Sequence, residues 1–162
     1  MKTLVLVRHA KSSWSDPALR DVDRPLNERG KRDAPAMGKR LADAGVKPDL
    51  ILSSPARRAR KTARILAKAL DYDFEDIRLD DGLYAVEADD LLEVVRRLGD
   101  KPECVMLVGH NPELTELAHR LSSRIAYMPT CAVAVFEFDT RSWSAAGKDK
   151  PASATFYAPK QP

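Results

Sequence analysis

Three short, largely apolar runs constrain this chain more than any other feature. Thr3-Leu4-Val5-Leu6-Val7 ends in Arg8-His9, Asp49-Leu50-Ile51-Leu52 leads into Ser53-Ser54-Pro55, and Glu103-Cys104-Val105-Met106-Leu107-Val108 ends in Gly109-His110-Asn111-Pro112. Runs of this length, rich in Val and Leu and bounded by charge or turn residues, read as strands buried on both faces. Helical stripes follow them. Ala59, Ala63, Leu66, Ala67 and Leu70 form one, Leu91, Leu92, Val95 and Leu98 a second, and Leu114, Leu117, Ala118 and Leu121 a third. Strands alternating with helices predict a parallel sheet. The expected fold is α/β, a three-layer sandwich with a mostly parallel central sheet and helices on both faces, in one domain over 1–162.

The remaining elements follow from local signals. Residues 10–25 lack periodicity and read as a long loop. Asn27 is the expected N-cap of a helix to about Ala44, stopped by Gly45, with Pro35 expected to kink or split it. Ser54 and Pro55 stand where an N-cap and a first helical residue belong, as do Asn111 and Pro112. Phe74–Leu79 reads as a further strand. Ala132–Phe138 and Ala154–Tyr157 read as a hairpin across 141–151, with a frayed end at 159–162.

Composition narrows the function. Residues 1–68 carry 17 Lys and Arg against 7 Asp and Glu, whereas residues 69–103 carry 4 against 12. The basic half has no aromatic interleaving and no nucleic-acid motif, so no nucleic-acid partner is expected; a small anion site accounts for the same charge. No apolar run approaches a membrane span, and the short N-terminal run is too brief for a signal-peptide core, which predicts a cytoplasmic protein with no membrane partner. Cys104 and Cys131 lie in apolar runs without metal-type spacing and are expected as buried free thiols.

In a parallel sheet the three strand ends converge on one edge, where such sheets bind ligands. They bring Arg8 and His9, then Ser54 to Arg58, then His110. Arg57 and Arg58 would lie in a helix's first turn, where cations oppose the helix dipole; accepting that cost hints at a nearby anion. Two histidines beside two arginines make a poor metal site, since no carboxylate or thiolate is spaced to join them. They suit phosphoryl transfer: a neutral His9 attacks phosphorus in line, Arg8 and Arg58 hold the equatorial oxygens, and His110 donates to them. No metal and no cofactor is expected. Ser12 and Lys11 follow His9 directly and are within reach of a ligand. His119 falls off its helix stripe and reads as surface; Tyr84 and Trp14 read as packing or pocket rim.

These segments resemble a known family. Leu-Val-Arg-His at 6–9, Ser-Ser-Pro-Ala-Arg-Arg-Ala at 53–59 and Gly-His-Asn at 109–111 look like the signature motifs of the histidine phosphatase superfamily, with its phosphoglycerate-mutase-like fold. The resemblance extends through Arg24-Pro-Leu-Asn-Glu-Arg-Gly30, and the short chain is similar to the SixA-type phosphohistidine phosphatases. It implies that His9 is the nucleophile and becomes a phosphohistidine, that Arg8, Arg58 and His110 complete the catalytic set, and that Arg24 and Arg57 are substrate-binding candidates, Arg57 the weaker of the two adjacent arginines; Ser12 joins the substrate-binding candidates from its place in the loop after His9. The family's glycine after the nucleophile is Ala10 here. Its glutamate general acid has no clear counterpart; Asp81 and Glu87 lie in the right region, but a turn and a helix start explain them as well. Imidazole leaves phosphorus far more readily than an alkoxide. The expected activity is therefore removal of phosphate from a protein phosphohistidine. The alternatives are a small-molecule phosphomonoesterase of the same fold and a non-catalytic phosphate-binding module.

Overall fold

The computed structural model describes residues 1–160. The strands are β1 (Lys2–Arg8), β2 (Leu50–Ser53), β3 (Arg78–Leu79), β4 (Cys104–Gly109), β5 (Val133–Phe138) and β6 (Ser153–Tyr157). The helices are α1 (Glu28–Asp43), α2 (Arg57–Ala69), α3 (Ala88–Arg96) and α4 (Glu113–Leu121). All six strands form one sheet in the order β3-β2-β4-β1-β5-β6. The pairs β3/β2, β2/β4 and β4/β1 are parallel; β1/β5 and β5/β6 are antiparallel.

β1 is central because both of its faces are apolar. Leu4, Val5, Leu6 and Val7 are fully buried. Alternation along the strand sends Leu4 and Leu6 into a core with Leu91, Val95, Leu114 and Leu117 of α3 and α4. Val5 and Val7 enter a second core with Met37, Leu41, Ala63 and Leu66 of α1 and α2. The sheet is thus sandwiched between two helical layers, the expected α/β architecture. Truncating Leu6 to Ala would cost about 2–5 kcal/mol.

Several boundaries differ from expectation. α1 is one helix through Pro35; this proline is exposed, so water can satisfy the carbonyl that its missing N–H leaves free. Asn27 caps α1 as expected, its side chain accepting from the Gly30 N–H at 2.9 Å. α2 starts at Arg57 rather than after Ser54, and Pro112 precedes α4 rather than opening it. Of the strand expected over Phe74–Leu79, only Arg78–Leu79 pairs; Phe74–Asp76 is a 3-10 turn. The β5–β6 hairpin is present. Cys104 and Cys131 are free thiols, half-buried and buried respectively. The expected frayed end falls in part on Gln161 and Pro162, which lie outside the described residues. Among the described residues no helix is long and apolar enough to cross a membrane.

Gly30 ties α1 to the loop after His9. A Cβ there would stand 2.2 Å from the Lys11 carbonyl oxygen. That carbonyl also accepts from the Asn27 N–H at 3.0 Å. Only glycine permits this approach.

Candidate active site

β4 lies between β2 and β1, so the three parallel strands end side by side. The register sets Arg8 opposite Gly109 and Ser53 opposite Val108. The next residues, His9, His110 and Ser54, therefore emerge together from one edge. The two imidazoles are 5.1 Å apart between centroids and tilted by 53°. Arg58 comes from the first turn of α2. Its Nε donates to His9 Nε2 and its Nη2 approaches His110 Nδ1, each at 3.4 Å.

Hydrogen bonds fix both tautomers. His9 Nδ1 is 2.7 Å from the Ala10 carbonyl oxygen. A carbonyl only accepts, so Nδ1 carries the proton and Nε2 keeps its lone pair. His110 Nδ1 faces a guanidinium, which only donates, so the His110 proton is on Nε2. That nitrogen donates to Ser54 Oγ at 2.7 Å. Ser54 Oγ also accepts from the Ala56 N–H at 3.2 Å. The serine read as a helix cap thus buttresses a histidine. Asn111 is likewise drawn inward, donating to the Met128 carbonyl at 2.8 Å and accepting from the Thr115 N–H at 3.1 Å.

Burial keeps both rings neutral. Desolvation lowers His9 to about 3; its bond to the Ala10 carbonyl, the next largest effect, opposes this, and the nearby guanidiniums of Arg58 and Arg8 add to the lowering. Desolvation followed by Arg58 lowers His110 to about 4. A neutral imidazole whose Nε2 lone pair faces an arginine cluster is a nucleophile at ordinary pH.

Arg8 Nη1 donates to Tyr127 Oη at 3.0 Å and to the Met128 carbonyl at 3.2 Å, while its Nε is buried without a partner among the described residues. Arg24 is buried; its Nη1 donates to Ser12 Oγ at 2.7 Å and its guanidinium stacks 3.5 Å above Trp14. Ser12 therefore supports Arg24 from behind. Arg57 points away: it is exposed on the outer face of α2, apart from the histidines, so the structure does not place it among the site groups. Asp81 and Glu87 are also exposed, and Glu87 is engaged in the capping box of α3 with Asp90. His119 is exposed as expected.

The carboxylate that does enter the site is Asp21, which sequence reasoning missed. Arg58 Nη2 donates to its Oδ2 at 3.0 Å, Arg24 Nε to its Oδ1 at 3.1 Å, and Tyr84 Oη to its Oδ2 at 2.7 Å. Arg58 Nη1 also donates to its backbone carbonyl at 2.7 Å. Desolvation opposes ionisation of Asp21, but the hydrogen bonds from Tyr84 and Arg58 prevail and hold it at about 2. Asp21 orients Arg58 so that Nε and Nη2 face the two histidines. Thr62, also missed, links the loop to the helix: the Ala10 N–H donates to its Oγ1 at 3.0 Å, and that hydroxyl donates to the Arg58 carbonyl at 2.8 Å. A buried threonine on the stripe of α2, four residues after Arg58, was its only sequence signal. Among the described residues no three His, Cys, Asp or Glu side chains are grouped to hold a metal ion.

Comparison with known proteins agrees with this geometry. Residues 4–93 match the family model of the histidine phosphatase superfamily, branch 1. An uncharacterised chloroplastic protein of Arabidopsis thaliana is 33% identical over 153 residues, covering 90% of this chain and 70% of that protein. A structure named as the phosphohistidine phosphatase SixA of Agrobacterium tumefaciens superposes with a TM-score of 0.78 at 33% identity, over 85% of this chain and 92% of that one. One from Nakamurella multipartitia, also named SixA, gives a TM-score of 0.86 at 24% identity over 99% and 97%, a likeness of fold. The chain belongs to the histidine phosphatase superfamily and is a hydrolase of the phosphatase type.

Proposed function

We propose that this chain is a SixA-type phosphatase that removes phosphate from protein phosphohistidine, without a metal, through a phosphorylated His9. Nε2 of His9 attacks phosphorus, forming a P–N bond as the bond to the leaving imidazole breaks. The leaving ring, protonated on its other nitrogen, departs neutral. Arg8 and Arg58 stabilise the equatorial oxygens, Arg58 with the Nε/Nη2 edge that Asp21 holds toward the histidines; His110 stands beside them in the catalytic set, and Arg24 stands near the substrate. Water then attacks phosphorus, the P–Nε2 bond breaks, and phosphate leaves with His9 neutral again.

One observation carries the substrate class. Among the described residues, Asp21 is the carboxylate that contacts the site arginines, and at about 2 it is ionised at neutral pH. An ionised carboxylate gives no proton to an alkoxide, whereas a phosphoramidate does not require one. The similarity to the Agrobacterium tumefaciens protein supports the same reading.

The test is phosphate release from a phosphohistidine peptide and a matched phosphoserine peptide, in excess chelator, with wild type and His9→Ala. Release from phosphohistidine alone, lost in the variant, is expected. Equal release from phosphoserine would mean that a proton donor operates and would overturn the substrate assignment.

A further inference from the structure

The exposed side of α2 carries five cations, Arg57, Arg60, Lys61, Arg64 and Lys68, and the helix contains no carboxylate. On its neighbour α1 three of the five cations are ion-paired: Arg29 with Asp33, Lys31 with Glu28 and Lys39 with Asp43. Among the described residues no ion pair engages the five cations of α2. Like charges four apart weaken a helix, and Arg57/Lys61, Arg60/Arg64 and Arg64/Lys68 are all so spaced.

A groove of about 620 Å³ runs beside this face. Arg57, Arg60, Lys61 and Arg64 form one bank. Phe74 and Leu79, each about half exposed, supply apolar surface, and Arg64 stacks 4.6 Å from the centre of the Phe74 ring. Glu75 is the one carboxylate lining it. The groove neighbours the site along the chain: Pro25 and Leu26 at its edge follow Arg24, and Arg57 precedes Arg58. From Arg57 to Arg64 it follows α2 for about 10 Å. Apolar side chains rimmed by unpaired charge mark an interaction surface.

We infer that this groove docks an acidic segment of the phosphorylated protein substrate, with carboxylates against Arg60, Lys61 and Arg64 and an apolar side chain over Phe74 and Leu79. The substrate's identity rests on the function proposed above; the acidic partner rests on charge complementarity and on continuity with the site. A second copy of the chain seated on the same rim would obstruct the site.

The test uses a fluorescent, unphosphorylated peptide of glutamates around one leucine, and its glutamine counterpart, with binding read by anisotropy at low salt. Wild type is expected to bind the glutamate peptide about tenfold more tightly, and Arg60→Glu/Lys61→Glu to lose that preference. Leu79→Ser should weaken both peptides. All variants should hydrolyse free phosphohistidine at the wild-type rate. Equal binding of the two peptides by wild type, or a preference that survives charge reversal, would overturn the inference. So would an oligonucleotide of equal charge that binds more tightly than the glutamate peptide, or a sedimentation change on charge reversal, which would assign the groove to a second copy. Absent phosphohistidine turnover with the glutamate preference intact would sink the substrate reading alone. Turnover without that preference would sink the docking surface alone.

Discussion

The two buried histidines make folding stability depend on pH below the ordinary histidine range. His9 is held at about 3 and His110 at about 4, whereas an unfolded histidine titrates near ~6.5. Above that value neither state is protonated and stability is complete. As pH falls below it, the unfolded chain binds protons that the folded chain refuses, and stability declines until the folded values are reached. At about pH 5 each histidine lies roughly 1.5 units below its unfolded value, a loss of ~2 kcal/mol each and ~4 kcal/mol together. That is a large part of the 5–15 kcal/mol typical of a domain, and with a urea slope near ~2 kcal/mol per molar it lowers the midpoint by about 2 M. The assay is urea unfolding followed by circular dichroism at about pH 7.5 and about pH 5, for wild type and for His9→Gln/His110→Gln. The paired comparison cancels other groups, among them Glu113, whose burial pushes its carboxyl upward. Inorganic phosphate should restore part of the loss by binding only the folded chain. A wild-type pH dependence equal to that of the double variant would refute the reasoning.

Asp21→Asn should lower kcat/KM for phosphohistidine by about 5- to 10-fold, because a charge-assisted bond to Arg58 from a half-exposed carboxylate is worth about 1 kcal/mol after solvent screening. Its loss should appear in kcat more than in unfolding, and the share of the wild type's low-pH loss of stability that comes from Asp21, between about pH 4 and about pH 2, should be absent from the variant while the share from the histidines remains. Gly30→Ala should destabilise the fold by about 1–3 kcal/mol, since the new Cβ must displace the Lys11 backbone; a thermal midpoint unchanged from wild type would contradict this.

The strand ends were legible because β1, β2 and β4 bury both faces and so lack polar interruptions until the ligand-facing edge. Parallel register then brings Arg8, His9, Ser54 and His110 side by side. The helix starts were misread where a capping residue had another partner. Ser54 is occupied by His110, and Asn111 spans to Met128. β3 is short because it is an edge strand with half of its expected residues turned into a 3-10 turn. Arg57 was separable from Arg58 only by helical rotation, which sends one inward and the other to the surface. Asp21 was not legible at all. It sits in an aperiodic loop, and its partners Arg58 and Tyr84 are 37 and 63 residues away in the chain.

The measurement that bears most directly on the central claim is capture of the enzyme intermediate. Wild type and His9→Ala are mixed with phosphohistidine substrate carrying labelled phosphorus, quenched in alkali, and mapped by peptide mass. Label on the peptide containing His9, labile to acid, stable to base and absent from the variant, is the predicted result. Turnover by wild type with no label on His9, or equal turnover and labelling in His9→Ala, would contradict the account.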